Sequence, residues 1–166
     1  GAAEMYQKAG MSSRVAEAYW KAAKLHDQRM EYVKAADNFT SVFKSYQTVA
    51  EKIPQLKDFY QNQALYMQAW SDIEKGRHHH ARQEYGSAKE HYEKAADLHR
   101  TLKQWSYLAL NYSAWAQVEK AEDQSRKEQS EDSIQAFEQA AKLFDETKKS
   151  LQTQLEKIEN PDEKQM

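Results

Sequence analysis

Two stretches decide the fold: ALYMQAWSDIEK at residues 64–75 and ALNYSAWAQVEK at residues 109–120. A shift of 45 residues lays Ala64-Leu65 on Ala109-Leu110, Ala69-Trp70 on Ala114-Trp115 and Glu74-Lys75 on Glu119-Lys120. The match continues into the segments that follow, where Tyr92-Glu93 meets Phe137-Glu138, Ala95-Ala96 meets Ala140-Ala141 and Leu98 meets Leu143. A weaker copy lies 53 residues upstream, where Ala35, Phe39 and Val42 correspond to Ala88, Tyr92 and Ala95. Within each copy apolar residues recur at intervals of three and four, the period of an α-helix that buries one face. Each copy therefore reads as a helical hairpin. Small residues let its two helices approach to about 8 Å, and the aromatic one turn away fills the adjoining gap. One hairpin cannot bury both of its apolar faces, so successive hairpins are expected to stack.

Composition agrees. The chain has 166 residues, 40% of them hydrophobic and 30% charged, with only 4 Gly and 2 Pro, too few for a fold rich in β-turns. Its length suits one domain with a real core. Helical punctuation predicts about seven helices, at residues 2–9, 12–28, 31–51, 55–82, 84–102, 104–127 and 130–159. Gly10 is expected to stop the first, Ile53-Pro54 the third, and Ser130 to cap the last. Asn160-Pro161 is expected to end the ordered domain, leaving 160–166 as a disordered charged tail. The chain opens at Gly1 without Met and is helical in character almost at once, as an excised segment would be. No signal peptide is expected, and no run nears the ~20 apolar residues of a membrane span. Lys and Arg total 24 against 26 Asp and Glu, so no broad cationic field favours nucleic acid or anionic lipid. Without cysteine there is neither a disulfide nor a thiolate metal site, which is compatible with a reducing cytosol; a cytoplasmic location is expected.

The spacing of small and aromatic positions resembles the tetratricopeptide-repeat family, particularly long-helix relatives such as the soluble NSF attachment protein adaptors. The residues that carry the likeness are Ala23, Ala35, Phe39 and Val42; then Gly76, Ala88, Tyr92 and Ala95; then Ala121, Ser133, Phe137 and Ala140. The likeness covers roughly residues 16–144. It implies an all-α, right-handed solenoid of about three antiparallel hairpins over residues 1–159. The spacings of 53 and 45 exceed the ~34 of the family, so the helices are expected to be two to three turns longer. The family's early aromatic is met by Tyr19 but not by Asp72 or Gln117, and its closing Pro is missing from all three copies.

The resemblance also implies a concave groove that takes a partner helix or peptide. Its lining would be Trp20, Lys24 and Asp27 in the first copy, Trp70, Ile73, Arg77 and His80 in the second, and Trp115, Val118, Glu122 and Ser125 in the third. Aromatics beside charges suit such recognition, because a ring buries area at low entropic cost while the charge orients the partner. Elongated helices equally allow the tryptophans to be interhelical core. A second surface follows from the last helix, where Ile134, Phe137, Ala141, Phe144, Leu151, Leu155 and Ile158 form a stripe interrupted by Lys148. Leu151, Leu155 and Ile158 lie beyond the repeat match and need a cover: the preceding hairpin, a second copy in a homodimer, or a flanking segment.

Catalytic patterns are missing: no Gly-rich phosphate loop, no Gly-x-Ser-x-Gly elbow and no His-Glu-x-x-His. His78-His79-His80 is the one run that invites a metal or enzymatic alternative. Consecutive helical residues point about 100° apart, so the three rings cannot share one ion, and His80 is expected to pair with Glu84 across the turn. The sequence thus predicts a non-enzymatic interaction scaffold with a protein or peptide partner and no cofactor.

Overall fold

The structure, a computed structural model, describes residues 1–159. The predicted tail at 160–166 lies outside the described residues. The described chain is all-α, with helices α1 (Ala2–Gln28), α2 (Tyr32–Lys52), α3 (Lys57–Ala81), α4 (Tyr85–Thr101), α5 (Ala109–Arg126) and α6 (Ser130–Glu159). Short 3₁₀ turns at Pro54–Leu56 and Ser106–Leu108 precede α3 and α5. Each helix packs chiefly on its neighbours in sequence.

Six helices stand where seven were expected, because Gly10 does not interrupt α1. A lone glycine costs a helix only about 1 kcal/mol relative to alanine. Buried residues on both sides of it offset that cost: Ala9 packs with Val49 and Ile53, and Ala16 with Phe39 and Met67. The α5 boundary also moves, from 104 to Ala109. Leu102 is buried in extended conformation, and Trp105 stacks on Tyr66 with centroids 3.9 Å apart, so side-chain burial holds this stretch out of the helix.

Three turns share one backbone geometry. Met30, Gln83 and Glu128 have φ of 60°, 59° and 61°, and they are separated by the same 53 and 45 residues as the sequence copies. In each turn this residue donates its N–H to the carbonyl three back, and the next residue donates to the carbonyl five back: Glu31 to His26, Glu84 to His79, Gln129 to Gln124. This is the Schellman closure, which satisfies carbonyls that a helix end otherwise orphans. A side chain in the left-handed region costs about 1–2 kcal/mol that glycine avoids. Glu128→Gly, at an exposed turn, is therefore expected to raise stability by up to about 1 kcal/mol in urea titration.

The small residues of the repeat sit where helices touch. Ala23, Ala35, Ala88 and Ala121 are fully buried. A Cβ added at Gly76 would lie 2.9 Å from Cζ of Tyr92, so glycine here lets the ring seat against α3. Ser133 replaces the alanine of the other copies and donates its hydroxyl to the Ala121 carbonyl at 2.8 Å, tying α6 to α5. Two larger core clusters result. One joins α1, α2 and α3 around Phe39, Val42 and Met67; the other joins α3, α4 and α5 around Ile73, Tyr92 and Tyr112. Trp70 packs against both.

Candidate interaction groove

Trp20 of α1, Phe39 of α2, and Tyr66 and Trp70 of α3 converge because the apolar face of α3 covers the α1–α2 hairpin. They line a cavity of about 330 Å³ together with Lys24, Asp27, Gln28 and Glu74. Trp70 stacks on Phe39 with centroids 5.9 Å apart and meets Tyr66 edge-on at 6.3 Å. The Lys24 Nζ sits 4.5 Å from the Trp20 ring centre, and the Arg77 guanidinium lies 5.9 Å from that of Trp70. The site therefore has an aromatic base and a charged rim. Cations over indole faces are favourable where the ring is partly desolvated.

Its polar end is a three-residue chain. Arg77 donates to Asp27 Oδ1 at 2.7 Å and to Glu74 Oε1 at 2.9 Å, joining α3 to the end of α1. Glu74 is almost entirely buried, and its Oε2 has no hydrogen-bond partner among the described residues. Burial pushes the Glu74 carboxyl up to about 8, the neighbouring Asp27 carboxyl adds to the rise, and Arg77 opposes it. At neutral pH this carboxyl is mostly protonated, so it can both donate to and accept from a ligand in the cavity.

A related arrangement lies one copy further on. His80 Nδ1 pairs with Glu119 Oε1 at 2.6 Å, and burial raises the Glu119 carboxyl while His80 opposes the rise. Burial raises the Tyr92 phenol, and the charges of Glu119 and Glu74 add to the rise while Arg77 opposes it. Glu74 and Glu119 were legible in the sequence only as matching members of a repeat. The recurrence of an acid beside core positions was the one signal that they are buried.

The expected groove residues do not form one surface. Trp20, Lys24, Asp27 and Trp70 line the cavity, and Arg77 braces its polar end. Ile73, expected on the groove face, is instead buried beneath it among Ala88, Tyr92 and Ala95, because α4 and α5 close over that side of α3. His80 is exposed but engaged with Glu119. Trp115 is 41% exposed and packs on Tyr92 and Phe144. Val118 and Glu122 are half-buried on α5, and Ser125 is exposed near its end. Leu151, Leu155 and Ile158 are exposed on α6.

The histidine run fans only in part: His78 and His79 have ring centroids 5.2 Å apart, His80 turns away to Glu119, and the pairing with Glu84 differs from expectation. His79, and not His80, meets Glu84, with Nδ1 3.2 Å from Oε1, because the tight turn brings Glu84 back toward the preceding residue. His78, His79 and Glu84 present possible ligand atoms within 4.8 Å of one another. Arg82 Nε holds the same Glu84 oxygen at 2.9 Å and competes for it.

The folded state keeps the Glu74 proton up to about pH 8, whereas the unfolded chain releases it near 4.5. The stability this group contributes is therefore full at low pH and is lost as pH rises through that window. His99 acts in the opposite sense: burial lowers its pKa, so its contribution is lost as pH falls below the ordinary histidine value. Comparison with Glu74→Gln isolates the carboxyl. The melting temperature of the wild type minus that of the variant is expected to fall by about 5 °C or more between about pH 5 and about pH 8. A difference that does not change with pH would show Glu74 to be ionised in the folded protein.

No protein-family model matches the chain, and no curated protein or solved structure matches it. Among the described residues, no helix is long and apolar enough to cross a membrane.

Proposed function

We propose that this protein is a non-enzymatic, cytoplasmic interaction scaffold: a right-handed, tetratricopeptide-like solenoid of three hairpins that takes a partner helix or peptide between α1 and α3. The observation that carries this reading is the cavity that holds Trp20 and Trp70 beneath Lys24, Asp27 and a buried carboxyl with an unpartnered oxygen. Apolar burial against the rings supplies affinity, and the surrounding charges set orientation. The repeated Schellman turns and small-residue contacts support the solenoid. Capture experiments with the wild type, Trp20→Ala and Lys24→Glu, read by mass spectrometry, test it: partners retained by the wild type and lost by both variants are expected. Equal capture by all three would overturn the groove.

A second reading, metal binding, rests on the convergence of His78, His79 and Glu84. Tight, stoichiometric zinc uptake abolished by His79→Ala would favour it. The competing Arg82 contact leads us to expect weak uptake instead.

A further inference from the structure

Two edges of the molecule already carry a docked helix, and a third edge repeats their surface. On the first, α3 lays Trp70 on Phe39 of α2, and its Glu74 joins Asp27 of α1 through Arg77. On the second, α5 lays Trp115 on Tyr92 of α4, with centroids 6.4 Å apart, and its Glu119 pairs with His80 of α3. Both docked helices thus present tryptophan and, four residues on, glutamate, one turn apart on one face. Both surfaces beneath them present an aromatic on the second helix of a hairpin and a polar residue at the end of the first.

The α5–α6 hairpin holds the corresponding positions in Phe137 and Ser125. Phe39 and Tyr92 are buried, whereas Phe137 is 39% exposed, and Ile134 beside it is exposed as well. Among the described residues α6 packs on α5 and the turn before it. The repeat interval relates this edge to the two occupied ones, so the helices seated there define what it accepts.

We propose that the α5–α6 edge docks one amphipathic helix of a partner protein bearing a Trp-x-x-x-Glu pair, with its indole on Phe137 and its carboxyl at the Ser125 hydroxyl. A second copy is the poorer occupant. Its Trp70 is stacked on Phe39, its Trp115, though 41% exposed, is held by Tyr92 and Phe144, and α1, its remaining first helix, has Glu17 where the tryptophan belongs. This surface is separate from the Trp20 cavity, so the two sites are tested independently.

The probe is a labelled peptide of residues 57–81, the protein's own α3, held helical by a lactam between Asp58 and lysine in an Asn62→Lys variant; both positions are exposed. Fluorescence anisotropy against the intact protein is expected to show saturable binding. Trp70→Ala in the peptide and Phe137→Glu in the protein are each expected to weaken it at least tenfold, and Glu74→Gln in the peptide about threefold. Phe137→Glu is checked for native helicity, and Ile134→Lys serves as a second variant of the same edge. Absence of saturation up to about 1 mM would overturn the proposal. So would binding that survives both edge variants, or that is lost only on Lys24→Glu, which would place the peptide in the groove. Concentration-dependent self-association abolished by Phe137→Glu would assign the edge to a second copy and equally overturn it.

Discussion

Replacing Gly76 with leucine is expected to destabilise the protein by about 3 kcal/mol or more, lowering the melting temperature by roughly 6–12 °C. The glycine gives α3 no conformational licence, since its φ is not positive. Its role is space. A Cβ at this position would lie 2.9–3.0 Å from three atoms of the Tyr92 ring, and that ring is itself buried among Ile73, Ala88 and Ala95. The ring cannot swing aside without opening the α3–α4–α5 cluster, so the remaining leucine atoms must displace a helix. Gly76→Ala separates sterics from propensity. Its helix gain of about 1 kcal/mol offsets part of the clash, and a net loss of about 1 kcal/mol is expected. If the leucine variant melts within about 2 °C of the wild type, the close approach of Tyr92 is not a constraint on the fold.

Trp70→Ala is expected to cost about 3 kcal/mol, toward the low end of the range for large-to-small aromatic truncation because the side chain is only half-buried. Its loss removes the stack on Phe39, the edge contact with Tyr66 and the guanidinium contact of Arg77. It also severs the residue shared by the two large core clusters. Trp70→Phe retains part of the apolar area and is expected to cost about 1 kcal/mol. Denaturant midpoints measured for the three proteins check the order. A Trp70→Ala variant as stable as the wild type would mean that the clusters are held together by other contacts. Because Trp70 both lines the groove and holds the core, binding at the groove is better probed at Trp20 and Lys24.

The hairpins were legible because close helix packing admits few side chains, and those few recur. Ala23, Gly76 and Ala121, with Ala35, Ala88 and Ser133, mark the contacts in the sequence as they do in the structure. The turns were less legible. Met30, Gln83 and Glu128 adopt a conformation that glycine usually signals, and the tertiary fit of the hairpins outweighs their local strain. Gly10 misled in the opposite direction, for a breaker acts only where the packing on either side allows the helix to end.

The groove was half legible. Trp20, Lys24 and Trp70 were identified as aromatic-and-charge neighbours at helical spacing, and the structure brings them to one cavity. Ile73 was not separable from them by spacing, because one helix turn decides whether a residue faces the cavity or the next hairpin. Glu74 and Glu119 were hidden by the ordinary expectation that carboxylates are solvated. Their burial depends on pairing that spacing does not show: Glu74 is joined to Asp27 of α1 through Arg77 of its own helix, and Glu119 of α5 pairs with His80 of α3. The stripe on α6 is visible as a pattern; the docking role proposed for its Ile134 and Phe137 comes only from comparison with the two occupied edges, and Leu151, Leu155 and Ile158 are exposed beyond them.

The scaffold reading is tested most directly by a photo-cross-linking amino acid placed at position 24, on the rim of the cavity, and in a parallel protein at position 90, on the exposed face of α4. In an extract of the source cells, position 24 is expected to capture a discrete protein through a short helical or extended segment, while position 90 is not. Equal labelling at both positions, or none above background at position 24, would contradict it.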